Sequence, residues 1–231
     1  GEPGFHQQDR QLRSRENRIA MRVEQFLRDS SRRFPEKIAL VAGDRRLTFR
    51  EIDDASDRLA AVLIRHGVAR GDRVVVFMDN RWEAVVAIFA VLKAGAVFSP
   101  INPSTKADKL AYLLNNCRAA ALITLGSLLP VARDAMAEAP SVRLAVVAAI
   151  AGKPAVAGGI RFEDALAEPG AAPSPDAAGI ELDLAMLIYT SGSTGFPKGV
   201  MMTHQNIVAA ASSITTYLEN TPDDIILNVL P

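Results

Sequence analysis

Apolar positions along this chain follow two rhythms that alternate. Ile52, Ala55, Leu59, Val62, Leu63 and His66 recur at helical spacing and predict one amphipathic face, with Gly67 as its C-terminal stop. From Arg73 to Met78 the chain is almost continuously apolar, the pattern of a strand buried on both faces. Asn80 is placed to cap a helix from 81 to about 94, and Gly95 ends it. A strand over 96–99, closed by Pro100, is followed by a helix from Ser104 or Thr105 to Asn116. A strand over 122–125, a helix over 127–138 and a strand over 143–149 continue the alternation. This β-α-β-α-β rhythm predicts an α/β fold with a largely parallel sheet and helices on both faces.

The ends of the pattern are less regular. A short amphipathic helix from Met21 to just before Pro35 precedes a hairpin, whose arms 39–41 and 47–49 flank Gly43-Asp44-Arg45-Arg46. Thr48 is suited to start the helix after it. Stretches 151–160 and 168–179 are rich in Gly, Ala and Pro and read as surface connections, with one helical turn over 162–167 between them. A strand over 184–190, a returning strand over 200–203, a helix begun by Thr203 or His204 and reaching Tyr217, and a last strand over 225–230 complete the reading. Residues 1–18 read as a polar, flexible tail and residues 19–231 as one α/β unit.

Composition narrows the function classes. The 231 residues carry 26 basic and 26 acidic side chains, so no global charge favours nucleic acid or an anionic membrane. Arg10, Arg13, Arg15 and Arg18 are interrupted by acids and lack interleaved aromatics for stacking on bases. No run is long and apolar enough to predict a transmembrane helix, and the N-terminus lacks the apolar segment of a secretory signal. The single cysteine, Cys117, forms no internal disulfide; a buried thiol and a cytoplasmic location are expected. No His/Cys cluster has metal-ligand spacing; Asp53, Asp54 and Asp57 do not form a catalytic pair, and Asp54 and Asp57, three apart on one helix, read as a solvated face with Arg58.

The densest chemistry lies in Tyr189-Thr190-Ser191-Gly192-Ser193-Thr194-Gly195-Phe196-Pro197-Lys198-Gly199-Val200. Glycines permit positive φ and close backbone approach, four hydroxyls supply short donors, and Lys198 supplies a mobile positive charge. Successive backbone N–H groups in such a turn can form an anion nest. No acid lies within the stretch to repel phosphate. It is neither a Walker A motif nor G-x-G-x-x-G, because its glycines fall at 192, 195 and 199 and Lys198 precedes glycine.

This stretch resembles the signature of the AMP-forming adenylate synthetases: acyl-CoA synthetases, peptide-synthetase adenylation domains and luciferases. Leu47-Thr48-Phe49-Arg50-Glu51-Ile52 is similar to the family's early strand-to-helix motif. Leu92-Lys93-Ala94-Gly95-Ala96-Val97-Phe98-Ser99-Pro100-Ile101-Asn102-Pro103 is similar to its second core motif. The resemblance runs from about Phe26 to Pro231 and implies the N-terminal portion of that fold. It implies that Thr190, Ser191, Gly192, Ser193, Thr194, Gly195 and Lys198 cradle the β- and γ-phosphates of ATP, bridged by Mg²⁺. It implies two half-reactions: a carboxylate attacks the α-phosphorus, and the acyl group then passes to coenzyme A or a carrier-protein phosphopantetheine. Asn102 resembles the acyl-CoA ligases more than the aspartate-bearing amino-acid adenylation domains. His204 and Asn206 match a Thr-His-x-Asn segment that follows the loop, and a helix-start or packing role is expected for His204.

The same resemblance places the adenine-binding segment, the ribose-binding aspartate and the small C-terminal domain with its catalytic lysine beyond Pro231. No catalytic residue is therefore assigned within this chain, and the chain alone is expected to be inactive. The alternatives are a non-catalytic nucleotide-binding or interaction module and an amino-acid adenylation fragment. Self-association through the apolar run at 225–230 is a further expectation.

Overall fold

A computed structural model describes residues 21–156, 158–168, 179–190 and 197–228. Helix α1 (Val23–Arg33) leads into a separate antiparallel hairpin of β1 (Ile38–Ala42) and β2 (Arg45–Thr48). There follow α2 (Phe49–Arg65), β3 (Arg73–Phe77), α3 (Trp82–Lys93), β4 (Val97–Ile101), α4 (Ala107–Asn116), β5 (Ala119–Leu125), α5 (Leu129–Ala137), β6 (Leu144–Ala148), β7 (Gly159–Arg161) and α6 (Phe162–Ala167). The last elements are β8 (Leu184–Thr190), β9 (Lys198–Thr203) and α7 (His204–Tyr217).

Among the described residues the main sheet has seven strands, in the order β7-β6-β5-β3-β4-β8-β9. Every pairing is parallel except β8 with β9. Alternation along the strands divides the interior. Val74 and Val76 join α2, α3 and α6 on one face, whereas Val75 and Phe77 join α4 and α5 on the other. The step from β3 to β4 runs one way along the sheet, and the steps from β4 to β5 and β5 to β6 run the other way. Right-handed crossovers then put α3 on one face and α4 and α5 on the opposite face. The expected α/β architecture is thus present.

Local chemistry explains the helix ends. Thr48 Oγ1 accepts from the Glu51 N–H at 3.1 Å, and Glu51 Oε2 accepts from the Thr48 N–H at 2.8 Å, a reciprocal cap that starts α2. After α2, the Gly67 N–H reaches Ile64 O and the Val68 N–H reaches Leu63 O, with Gly67 at φ +84°. Gly95 ends α3 in the same way at φ +72°.

Several boundaries differ from the pattern. Arg81, not Asn80, occupies the cap position of α3, and it makes no side-chain cap bond. Helix α4 begins at Ala107 because Ser104 turns back on Asn102, whose Oδ1 accepts from its N–H and hydroxyl at 2.9 and 2.7 Å. Strand β4 runs through Pro100 to Ile101. Its ladder to β8 spans only Phe98 with Met186, which leaves room for a residue without an N–H. The Gly-rich stretch 151–160 hides the short edge strand β7. Residues 225–228 form no strand: no neighbour ladders with them, and Ile225 is 96% exposed. The remainder of that expected strand, 229–230, lies outside the described residues, as do the tail 1–18 and nearly all of the 168–179 connection.

Asp57 also departs from expectation. Lys93, the last residue of α3, is fully buried. Its Nζ donates to Asp53 O at 2.8 Å, contacts Asp53 Oδ1, and lies 2.9 Å from Asp57 Oδ1. Asp53 and Asp57 sit one helical turn apart on α2 and grip this ammonium from one side. A buried cation demands such partners, so this face of α2 is an internal clamp between α2 and α3 and not a solvated surface.

Candidate functional site

The polyphosphate candidate lies where β8 ends. Because β8 runs parallel to β4, Thr190 lies at the same sheet edge as the carboxyl ends of β3, β4 and β5. In open α/β sheets that edge is the usual place for ligands. Strand β9 returns antiparallel, with Thr190 opposite Lys198 and Tyr189 opposite Gly199. The Thr190 hydroxyl donates to Lys198 O at 3.5 Å, and both residues are exposed. One hydroxyl donor and one ammonium-bearing residue therefore meet at the rim. Ser191, Gly192, Ser193, Thr194 and Gly195 lie outside the described residues.

The residues beneath this rim are well held. The Tyr189 hydroxyl donates to Asn116 Oδ1 at 2.6 Å, at the last turn of α4. Tyr189 also packs on the core that contains Phe77, Leu110 and Cys117. Burial, followed by the neighbouring Cys117, pushes the phenol pKa up, so the hydroxyl stays a donor. Cys117 is buried as expected, and desolvation raises its thiol pKa. Gly199 has a role of its own: a Cβ there would lie 2.9 Å from Leu187 Cδ1 and 3.4 Å from Tyr189 Cε1.

After β9 the chain turns into α7 by a second reciprocal cap. Thr203 Oγ1 accepts from the Asn206 N–H, and Asn206 Oδ1 accepts from the Thr203 N–H, both at 3.1 Å. His204 is 2% exposed, and its Nδ1 accepts the Val23 N–H at 3.2 Å. Glu24 Oε2 lies 3.6 Å from the same nitrogen, and Arg22 Nη1 lies 2.9 Å from Glu24 Oε1 without hydrogen-bond alignment. Burial depresses the imidazole pKa to about 4, helped by Arg22 and opposed by Asp183. His204 is therefore neutral and docks α7 on the start of α1.

The donor set at the rim suits an anion. Among the described residues no group of three or more His, Cys, Asp or Glu side chains is placed to hold a metal ion. A Mg²⁺ ion here would be held by phosphate oxygens and water, as is common for this ion with polyphosphates. Neither the Tyr189–Asn116 bond nor the Lys93 clamp is visible in the sequence. Each joins residues tens of positions apart, and no local spacing marks such a pair.

Comparison with known proteins agrees with the motifs. Residues 27–231 match the family model described as AMP-binding enzyme. The chain is 40% identical over 204 residues to phosphinothricin tripeptide synthetase PhsC of Streptomyces viridochromogenes, covering 87% of this chain and 17% of that protein. It is 30% identical over 195 residues to a medium/long-chain-fatty-acid–CoA/3-oxocholest-4-en-26-oate–CoA ligase of Mycobacterium marinum, covering 82% and 35%. The solved structure of a putative long-chain-fatty-acid CoA ligase from Rhodopseudomonas palustris superposes with a TM-score of 0.81 at 26% identity, covering 92% of this chain and 52% of that one. The chain thus spans about a third or less of these two curated relatives. No described helix is long and apolar enough to cross a membrane. On the match over 27–231, the chain belongs to the AMP-binding enzyme family.

Proposed function

We propose that this chain is the triphosphate-holding part of an ATP-dependent acid–thiol ligase. The observation that carries the reading is the position of Thr190 and Lys198: paired, exposed, and at the carboxyl edge of a parallel sheet. Both reactants of the first step are anions. The Lys198 ammonium offsets charge on the β- and γ-phosphates, and the donors of Ser191 to Gly195, with the Thr190 hydroxyl turned from its long 3.5 Å bond to Lys198 O, hold the phosphate oxygens so that the α-phosphorus lies in line for a carboxylate. Mg²⁺ bound to those phosphates would spread the charge of the leaving pyrophosphate. The products are an acyl-adenylate and pyrophosphate, and a thiol then displaces AMP. Adenine, ribose and acyl contacts are supplied by residues outside this chain, and the work proceeds in the cytoplasm, where ATP and thiol acceptors are available.

Coenzyme A is the favoured acceptor, supported by the fold likeness to a fatty-acid CoA ligase. The 40% identity to a peptide synthetase favours a second reading, an amino-acid carboxylate passed to a carrier phosphopantetheine. Asn102 does not separate the two, since its Oδ1 is engaged by Ser104 and an aspartate would serve equally. The test is carboxylate-dependent exchange of pyrophosphate into ATP by the intact protein that carries this chain, across fatty, aryl and amino acids. Exchange that depends on one acid class supports the reading and selects the acceptor class. Absence of both exchange and ATP binding refutes it.

A further inference from the structure

The far end of β8 has little backbone support on its inner side. Its ladder to β4 spans only Phe98 with Met186. Thr190 lies four residues further on, about 13 Å at the usual strand rise. On the outer side it is paired only with β9, the edge strand of the sheet. A two-stranded ribbon projecting past its last inner ladder pair is free to twist and swing. Two side-chain bonds replace the missing ladder. Ser99 Oγ donates to Leu187 O at 2.8 Å, and the Tyr189 hydroxyl donates to Asn116 Oδ1 at 2.6 Å.

Asn116 is a firm anchor, because the end of α4 is itself pinned. Arg73 donates from Nε to Cys117 O at 2.5 Å and from Nη2 to Arg118 O at 3.2 Å, satisfying carbonyls at the helix end. Asn115 Nδ2 donates to Glu138 O at 2.8 Å, joining α4 to the end of α5. Opposite Tyr189, Gly199 leaves space beside the ring.

We propose that Tyr189 is a positioning residue: its hydroxyl bond to Asn116 fixes the Thr190–Lys198 pair relative to the sheet and so sets polyphosphate affinity. The proposal rests on the phosphate-holding reading. Tyr189 precedes Thr190 directly, so its ring and the Thr190 hydroxyl share one peptide unit. Loss of the hydroxyl bond releases the strand end while leaving the ring packed on the core beneath α4. The cost then falls on ligand alignment more than on folding.

The experiment titrates this chain with inorganic tripolyphosphate in the presence of Mg²⁺ by calorimetry, and records each variant's urea midpoint. Tyr189→Phe and Asn116→Leu are expected to weaken binding about 10-fold, about 1.4 kcal/mol, with urea midpoints close to wild type. Asn116→Asp keeps an acceptor oxygen and is expected to bind within about twofold of wild type. A rescue by aspartate but not leucine is the mark of a positioning bond, which general loosening of the fold does not produce. Wild-type affinity in Tyr189→Phe, or losses that track the urea midpoint through all three variants, overturns the proposal while the phosphate reading stands. Failure of the wild-type chain to bind tripolyphosphate sinks the phosphate reading itself, and the positioning role with it.

Discussion

Acidification should act on this fold through His204, and the sign follows from its burial. The imidazole is displaced from an ordinary value of 6.5 to about 4. Between those pH values the unfolded chain binds a proton at His204 that the folded chain refuses. Stability from this group is therefore intact above pH 6.5 and lost as pH falls toward 4. A displacement of about 2.5 pH at about 1.4 kcal/mol each amounts to about 3.5 kcal/mol in full, of which about 3 kcal/mol is lost by pH 4. The physical cause is specific: protonation would place an N–H on Nδ1, where the Val23 N–H already donates, and would charge a group buried near Arg22. Glu24 works the other way. Its carboxyl pKa is raised by burial, so its penalty is present at neutral pH and relieved on acidification. Asp183 favours the charged imidazole but does not outweigh burial. A His204→Asn variant separates these effects, since the amide oxygen can accept the Val23 N–H and does not titrate. Urea unfolding at fixed ionic strength, from pH 7 to 4, should show wild type losing about 3 kcal/mol more than the variant across that range. Parallel pH profiles for the two proteins would refute the reasoning.

Three other outcomes are expected. Lys93→Met should cost about 3–5 kcal/mol in urea unfolding by leaving Asp53 without its cation and Asp57 with only Arg28, at 3.5 Å; adding Asp53→Asn should then cost much less than Asp53→Asn alone, and simple additivity would contradict the clamp. In the intact ligase, Gly192→Val or Gly195→Val should nearly abolish carboxylate-dependent pyrophosphate exchange, while Lys198→Ala should lose about 10–100-fold, about 1.4–2.8 kcal/mol; near-normal exchange by both glycine variants would remove the cradle assignment. Edge strand β9 exposes Val200 and Met201 at 47% and 66%, so this chain should self-associate in light scattering, and Met201→Lys should shift it toward monomer; a concentration-independent monomer in both proteins argues against pairing through that edge.

What could be read from the sequence was what has a local period or a local cap. The helix of Ile52, Leu59, Val62 and Leu63, the strand of Val74 to Phe77 and the Gly67 and Gly95 stops are each written within one or two turns of chain. The loop at 189–200 reads as a candidate anion site because hydroxyls, glycines and a lysine are crowded there without an acid; of it, 191–196 lie outside the described residues. Asp57 was misjudged for the opposite reason. A helix shows its charged face in sequence but not what packs on it, and the partner Lys93 arrives from another helix. The same limit hid Asn116 behind Tyr189 and the docking of His204 on Val23. Strand β7 was lost because three residues beginning with glycine carry too little pattern, and 225–228 were overcalled because apolar residues alone do not supply a neighbouring strand.

The three motif segments consequently do different work. The segment at 47–52 supplies the Thr48–Glu51 cap and leads into the turn that carries Asp53 and Asp57, and the segment at 92–103 supplies Lys93 to meet them. Together they lock α2 to α3 on one face of the sheet, away from Thr190. The second segment also ends at the carboxyl edge, with Ile101 of β4, but the third carries Thr190 and Lys198 there, and it is held by Tyr189 on the opposite face, through α4. Frame and rim are thus fastened to different sides of one sheet. Damage to the Lys93 clamp should lower stability with ligand affinity preserved in the molecules that remain folded. Damage to the Tyr189 bond should lower affinity with stability preserved. The two effects separate because the core under α2 and α3 and the core under α4 and α5 are distinct clusters on opposite faces of the sheet.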